Sequence, residues 1–373
     1  MATDWRELVK PSLLELEPYH PGASLEEVRR RYGLDEIVKL NWNEGLLGPF
    51  PGVAEAVAAA TAEAWMYPAQ AYGDLRRALG AWLDVPPERI VPGHGIQSLV
   101  TTLAAAMLLP GDRVVIPRPT YGLYPQVFKA AGADAERVPV DADLRLDLPA
   151  MSEAARRLGA KLVVVCDPNN PTGAVVGRAE WETFLAELPA GCAVVVDEAY
   201  AEYVDPALRL RREDDVAAGR PVIVFRTFSK VFGIAGLRLG YAIVDEGFEP
   251  FLDIVQEPFN VNRAALAAGL ASLERVELVE ERRVEAAEAR TLVTERFEAA
   301  GIRVFPSQAN FVLADVGVDD RALEERLIRR GFLIRAGSEF DLNGLVRVTV
   351  GPAGVMERAA TALVEERAAL LAA

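Results

Sequence analysis

The sequence predicts an α/β fold: a large domain with a mostly parallel sheet flanked by helices, plus a smaller discontinuous α+β domain from the N- and C-terminal segments. Three observations carry this expectation. The chain has 373 residues, too many for one ordinary hydrophobic core and well suited to two domains. From about Arg89, short apolar runs rich in Val and Ile alternate with helical stretches, as in parallel strands covered on both faces. After Gly301 the pattern becomes strands interspersed with two helices.

Taken in order, residues 1 to about 40 read as a short arm and a helix. Ser24 is placed to cap that helix, and Glu27 three residues on completes a capping box. Pro49 and Pro51 break the next segment, and helices follow over about 53–65 and 73–83. Strands are expected at 114–116, 135–140, 162–166, 193–196, 222–225 and 239–244, with helices between several of them at 96–108, 121–131 and 178–188. A long helix with room for one break covers about 261–300 and carries Glu/Arg pairs on its outer face. A strand at 311–313, a helix at 320–330, strands at 333–334 and 345–350, and a closing helix at 355–371 complete the chain. The domain division this gives is 1–45 for the arm and part of the small domain, 46–265 for the large domain, and 266–373 for the linking helix and the rest of the small domain.

Composition excludes several classes. Hydrophobic residues are 51 % and charged residues 25 % of the chain, so it is neither disordered nor short of core. The net charge is −15, from 55 acidic and 40 basic residues, which speaks against nucleic-acid and anionic-membrane surfaces. An anionic substrate then has to be met by local arginines. Cys166 and Cys192 lie in or beside apolar runs, outside any metal-type spacing, and no metal site is expected. No apolar run reaches membrane-spanning length, and the start lacks a basic region followed by an apolar stretch, so a cytoplasmic protein is expected.

The chemistry-bearing segments sit at strand ends, where ligands bind in such sheets. Thr227-Phe228-Ser229-Lys230 sets one lysine among small and apolar residues, with Arg238 eight positions later. Partial desolvation and cationic company both favour a neutral, nucleophilic amine. Such a lysine can form a Schiff base with an aldehyde cofactor, and the hydroxyls of Thr227 and Ser229 with the Arg238 guanidinium can hold a phosphate. Read alone, the segment is also an ordinary loop after a strand. Asp167-Pro168-Asn169-Asn170-Pro171-Thr172-Gly173 is a sharp turn in which Asn170 can offer an amide to a ligand. Asp197-Glu198-Ala199-Tyr200 puts a carboxylate at the end of a buried strand, which is costly unless it is paired. That carboxylate either caps a helix or faces a protonated ring nitrogen, and Tyr200 can add a hydroxyl to the same ring. Pro92-Gly93-His94-Gly95-Ile96 leads into a helix whose free N–H groups can meet a phosphate, with His94 as a loop residue rather than a base. In Pro119-Thr120-Tyr121-Gly122-Leu123-Tyr124, Tyr121 can stack on a planar ring or belong to the core.

In this order and layout, Asn-Asn-Pro-Thr-Gly, Asp-Glu-Ala-Tyr and Ser-Lys with its downstream arginine resemble the fold-type I pyridoxal-phosphate aminotransferases, class I/II, over nearly the whole chain. The resemblance implies pyridoxal 5'-phosphate as cofactor. It makes Lys230 the Schiff-base lysine and proton carrier, Asp197 the partner of the pyridine nitrogen, and Asn170 and Tyr200 the partners of the ring oxygen. Tyr121 stacks on the ring, while Thr227, Ser229, Arg238 and the His94, Gly95 and Ile96 backbone hold the phosphate. Tyr67 resembles the tyrosine that reaches the phosphate from the neighbouring subunit, which implies a homodimer. Arg347 resembles the arginine that clamps the substrate's anionic group, and the partners implied are an amino donor and a 2-oxo acid, 2-oxoglutarate.

Within the family, Pro18-Tyr19-His20-Pro21-Gly22, Asn43-Glu44 and Ala309-Asn310-Phe311 resemble the histidinol-phosphate branch of histidine biosynthesis. Tyr19, Asn43 and Arg335 join Asn170 and Arg347 as expected substrate contacts on that ground. Asn41-Trp42-Asn43-Glu44-Gly45-Leu46-Leu47-Gly48 departs from the branch's usual Asn-Glu-Asn-Pro-Tyr-Gly, and the phosphate loop lacks its usual acidic residue. An aromatic-amino-acid aminotransferase or an amino-acid-phosphate decarboxylase of the same fold therefore stays open. A non-catalytic cofactor-binding regulator is disfavoured by the acidic charge and by the lack of room for a DNA-binding domain. A nicotinamide dehydrogenase is disfavoured because no Gly-x-Gly-x-x-Gly follows the first strand.

Overall fold

The Val- and Ile-rich runs build one sheet in the computed structural model, which describes residues 3–18, 24–69 and 71–373. After a short β1 (Val38–Lys39) come β2 (Ile90–Gly93), β3 (Arg113–Arg118), β4 (Asp134–Pro139), β5 (Leu162–Cys166), β6 (Ala193–Asp197), β7 (Val222–Thr227) and β8 (Gly240–Ile243). They form a seven-stranded sheet in the order β2-β8-β7-β6-β5-β3-β4. Neighbours from β7 to β4 are parallel, whereas β8 runs antiparallel to both β2 and β7. Alternate residues of one strand enter different cores: Val163, Val165, Val194 and Val196 pack on one face, and Val164, Val195, Ile223 and Phe225 on the other. Both faces need apolar residues, which is why these strands read as unbroken apolar runs. Each fully buried Val or Phe contributes roughly 1.5–3 kcal/mol.

A second sheet of four antiparallel strands lies in the C-terminal part: β9 (Arg303–Phe305), β10 (Phe311–Asp315), β12 (Arg335–Ala336) and β13 (Leu345–Thr349), in the order β12-β13-β10-β9. The three-residue β9 is too short to give an alternation signal and is absent from the expected strands. Between them β11 (Phe332–Leu333) pairs in parallel with β1, Val38 opposite Phe332, so the N-terminal segment joins the C-terminal unit. The capping box at Ser24 is present: its Oγ accepts from the Glu27 N–H at 3.2 Å, and its own N–H donates to Glu27 Oε2 at 2.7 Å.

The stretch 261–300 is two helices, Arg263–Leu273 and Glu277–Ala299. The first buries Ala265, Ala268, Gly269 and Ser272 and packs on helix Val53–Thr61. The second buries Ala286, Ala289, Val293 and Phe297 and packs on the closing helix Ala353–Leu371. The break lets each half follow its own neighbour. Helix Val53–Thr61 is shorter than expected, and 62–65 are turns. Among the described residues no helix is long and apolar enough to cross a membrane.

A buried charge cluster joins three parallel strand ends. Arg212 donates to Glu198 Oε1 at 3.0 Å and to Asp167 Oδ2, while Arg226 donates to Glu198 Oε2 at 2.7 Å and to Glu213 Oε2 at 2.9 Å. Burial pushes the Glu198 carboxyl up, but Arg226 and Arg212 outweigh it and hold the group below its ordinary value. Removing one partner of such a pair costs about 3–5 kcal/mol, because the other charge stays buried. The cluster therefore stiffens the strand ends that carry Asn170, Asp197 and Lys230.

Candidate active site

The parallel strands all end on one edge, and their following turns line a cavity of about 540 Å³. Tyr121 follows β3, Asn170 lies in the turn after β5, Asp197 and Tyr200 end β6, and Thr227, Ser229 and Lys230 end β7; all face this cavity. Arg238, Arg335 and Arg347 also line it.

Lys230 Nζ donates to the Trp42 carbonyl at 3.1 Å and lies 5.6 Å from the centre of the Tyr200 ring. Burial, then the positive charge of Arg347 and that of Arg238, lower its pKa to about 7. Arg347 ranks above the sequence-local Arg238 in this, so the larger charge effect comes from 117 residues away. The amine is substantially neutral near neutral pH and can act as a nucleophile or base.

Asp197 is buried beneath the cavity floor. Its Oδ1 accepts from the Ala199 N–H at 3.0 Å, and Tyr124 donates its hydroxyl to Oδ2. Burial raises its pKa to about 6, against the lowering effect of those two hydrogen bonds and of Lys230. A buried carboxylate that remains largely ionised at pH 7 is a strong local field for a cation in the cavity.

Arg347 donates to Asn170 Oδ1 and to the Asn41 carbonyl. Tyr200 accepts from Asn43 Nδ2 at 3.0 Å, and its ring meets Phe311 edge-on at 5.2 Å. Asn43, buried, is committed to Tyr200 and to Thr349, whose Oγ1 accepts its backbone N–H at 3.1 Å. Asn169, the neighbour of Asn170, is a strut instead: its amide donates to the Pro119 carbonyl at 3.1 Å, and Thr120 donates to its Oδ1 at 3.1 Å.

Below this group a small concave cradle forms. Gly95 opens helix Gly95–Met107 with φ +76°, and a Cβ there would meet Arg238 Nη2 at 2.6 Å. The left-handed backbone there favours glycine, and a Cβ would crowd the guanidinium end. The hydroxyls of Thr227 and Ser229 lie 2.9 Å apart beside the same cavity. His94 is exposed at the helix entrance, and its side chain makes no cap hydrogen bond. Ile96 lines the cavity.

A family model described as aminotransferase class I and II matches residues 35–363. The chain belongs to the class I and II aminotransferases. This aminotransferase is 40% identical over 344 residues to a histidinol-phosphate aminotransferase of Symbiobacterium thermophilum, covering 92% of this chain and 94% of that one. It is 37% identical to the protein of the same name from Moorella thermoacetica, over 92% and 88% of the two chains. The crystal structure of a Sinorhizobium meliloti histidinol-phosphate aminotransferase in complex with pyridoxal-5'-phosphate superposes with a TM-score of 0.89, at 30% identity, over 96% of this chain and 97% of that one. A Thermus thermophilus aspartate aminotransferase double mutant superposes with a TM-score of 0.80 at 25% identity, over 96% and 99% of the two chains, so the fold by itself does not select a donor.

In this aminotransferase Arg335 and Arg347 stand directly opposite each other on β12 and β13, and therefore on one face. Arg335 is ion-paired with Glu339, which lines the cavity with it, so the pairing is part of the cavity wall and not a surface contact elsewhere. Tyr67 is 79% exposed, stacks on Phe259 at 4.7 Å, and does not line this chain's own cavity. Tyr19 lies outside the described residues. The sequence reading missed Tyr124, Trp42, Gln97 and Arg137 as site residues. Tyr124 alone had a local signal: it sits three residues after Tyr121, as the next aromatic in the same turn-to-helix segment.

Proposed function

We propose that this aminotransferase moves the amino group of histidinol phosphate to 2-oxoglutarate, as a cytoplasmic homodimer that holds pyridoxal 5'-phosphate at Lys230. The observation that carries the donor assignment is the register of Arg335 and Arg347, two cations on one face of the same cavity in a chain of net charge −15. The names of the relatives point to the same donor.

The residues fit the cofactor. The Gly95–Arg238 cradle with the Thr227 and Ser229 hydroxyls suits a phosphate, and the buried Asp197 suits a cationic ring nitrogen. Tyr121 offers a ring face, and Asn170 and Tyr200 offer polar atoms beside it. Bound pyridoxal phosphate supplies an electron sink for charge that develops on the donor's amine-bearing carbon. Lys230 Nζ, whose lowered pKa of about 7 leaves a large neutral fraction at neutral pH, takes the proton from that carbon and returns it. Asp197 holds its negative charge fixed through both half-reactions, with Tyr124 and the Ala199 N–H keeping its orientation. Arg347 meets the carboxylate of the 2-oxo acid.

One observation favours a second reading. Trp42, Tyr121 and Phe340 give the cavity aromatic walls that suit an aromatic amino acid too. A donor panel with 2-oxoglutarate separates the two. The proposed function expects kcat/KM to be highest for histidinol phosphate. It also expects Arg335→Ala to weaken that donor about ten- to a hundred-fold more than phenylalanine, the value of a lost charge-assisted hydrogen bond. A wild-type preference for phenylalanine or tyrosine, or an equal loss on both donors, moves the assignment to an aromatic aminotransferase.

Support for the dimer comes from exposed apolar side chains. Trp65 is 81% exposed, and Tyr67, Phe259, Phe251 and Ile254 are exposed as well. Light scattering at assay concentration is expected to give twice the chain mass, with Tyr67→Phe weakening cofactor retention. A fully active monomer refutes the arrangement.

A further inference from the structure

The outer end of the cavity holds charges that the roles above do not use. Arg118 ends β3 and Arg137 lies on the edge strand β4 beside it. Facing them is Asp341, in the loop that follows β12 of the small sheet. Arg118 Nε donates to Asp341 Oδ2 at 3.0 Å, while Arg137 Nη2 stands 3.7 Å from the same oxygen. One carboxylate thus serves two guanidiniums from across the cleft. Arg118 holds it by a hydrogen bond, and Arg137 is the looser partner, beyond hydrogen-bond reach. A half-exposed ion pair of that kind contributes little and exchanges readily.

Arg137, Asp341, Arg335 and Glu339 all line the cavity. Each cavity arginine at this end is matched with an acidic residue of the same small-sheet loop, Arg335 with Glu339 and Arg137 with Asp341. Arg335 has Glu339 to itself, whereas Arg118 and Arg137 share the single carboxylate of Asp341. An arginine whose carboxylate is shared is the one that a dianion can recruit at least cost, because its planar fork matches phosphate oxygens.

We infer that Arg137 is a specificity-determining residue that leaves Asp341 to bind the distal phosphoryl group of the donor opposite Arg335. Asp341 is its competitor: it holds Arg137 when no phosphate monoester is present, and gives it up when one enters. The inference rests on the phosphorylated-donor reading above. It makes the large-sheet edge a second wall of the donor site, so that the phosphate bridges the two sheets.

Two variants with opposite expected signs test it. Holoenzyme kcat/KM is measured with histidinol phosphate and with histidinol, each with 2-oxoglutarate, and inorganic phosphate is titrated as an inhibitor. Arg137→Gln is expected to lower the ratio of the two kcat/KM values about ten- to a hundred-fold, mainly through KM, and to weaken inhibition by inorganic phosphate. Asp341→Asn is expected to act the other way and lower KM for histidinol phosphate, because the competing charge is gone. Asparagine tolerates the left-handed backbone of position 341, φ +63°, so the loop is kept. A purely structural bridge would make both variants shift in the same direction, and that outcome overturns the inference. If the wild type distinguishes the two donors and Arg137→Gln keeps the same ratio, this inference alone falls. If the wild type does not distinguish them, the phosphorylated-donor reading falls and this one with it.

Discussion

Lys230→Ala is expected to abolish steady-state transamination. The variant removes the amine that the burial of its site and the Arg347 and Arg238 charges hold near a pKa of about 7. Loss of a positioned proton carrier alone costs about 10²–10⁴-fold in rate, and the covalent anchor for the cofactor goes with it. The measurement is twofold: turnover with 2-oxoglutarate, and the amount of cofactor fixed to the protein by borohydride. Adduct at the wild-type level in the alanine variant would falsify the assignment of Lys230. The depressed pKa has a sign of its own. The reactive neutral amine dominates above about pH 7 and is lost to protonation below it. Cofactor-free wild type should therefore take up pyridoxal phosphate progressively more slowly as the pH falls below 7, followed by absorbance. A rate indifferent to pH between 6 and 8 would mean that the amine is already charged or solvated throughout.

Asp197→Asn should lower turnover by about 10²–10³-fold while leaving the protein folded and, without cofactor, more stable than wild type at neutral pH. The rate effect follows from removing one preorganised charge aimed at the reacting system, worth roughly 3–4 kcal/mol. The stability effect follows from burial, which raises the Asp197 pKa from its ordinary 3.8 to about 6. A group whose folded pKa is raised contributes stability that is full below its unfolded value and lost as the pH rises through the folded one. Between about pH 4 and pH 7 the wild type should lose roughly 1–3 kcal/mol from this carboxylate, and the asparagine variant, which does not titrate, should not. Thermal unfolding of the two cofactor-free proteins across that range reads the difference. Asparagine can still accept from the Ala199 N–H with its one oxygen, and its Nδ2 can donate to the Tyr124 hydroxyl oxygen in place of the bond that Oδ2 accepted, so the turn itself is preserved. Near wild-type turnover with bound cofactor would reduce Asp197 to the cap of that turn.

These two residues also mark how far the sequence reaches. Lys230 and Asp197 were legible because each sits at the end of a Val-rich strand, in a turn whose residues are contiguous. A parallel sheet brings all such ends to one edge, so strand order need not be known to group them. The same logic placed Asn170, Thr227, Ser229 and Tyr121 at the cavity. Within the turn after β5, Asn170 faces the cavity, as expected, while Asn169 beside it braces the Pro119 turn.

By itself the sequence determined the alternating α/β plan, the strand-end turns and the lysine that one of those turns carries to the cavity, because periodicity and turn chemistry act between residues within a few positions of each other. Only the tertiary structure decided which distant groups set the site's properties. It put Arg347 where its charge acts on Lys230, gave Tyr124 to Asp197 and Asn43 to Tyr200, set Arg335 opposite Arg347, and brought Asp341 across the cleft to Arg118 and Arg137. Those pairings depend on strand register and on how two sheets meet. Electrostatics and desolvation follow distance in space, and no local pattern along the chain records it.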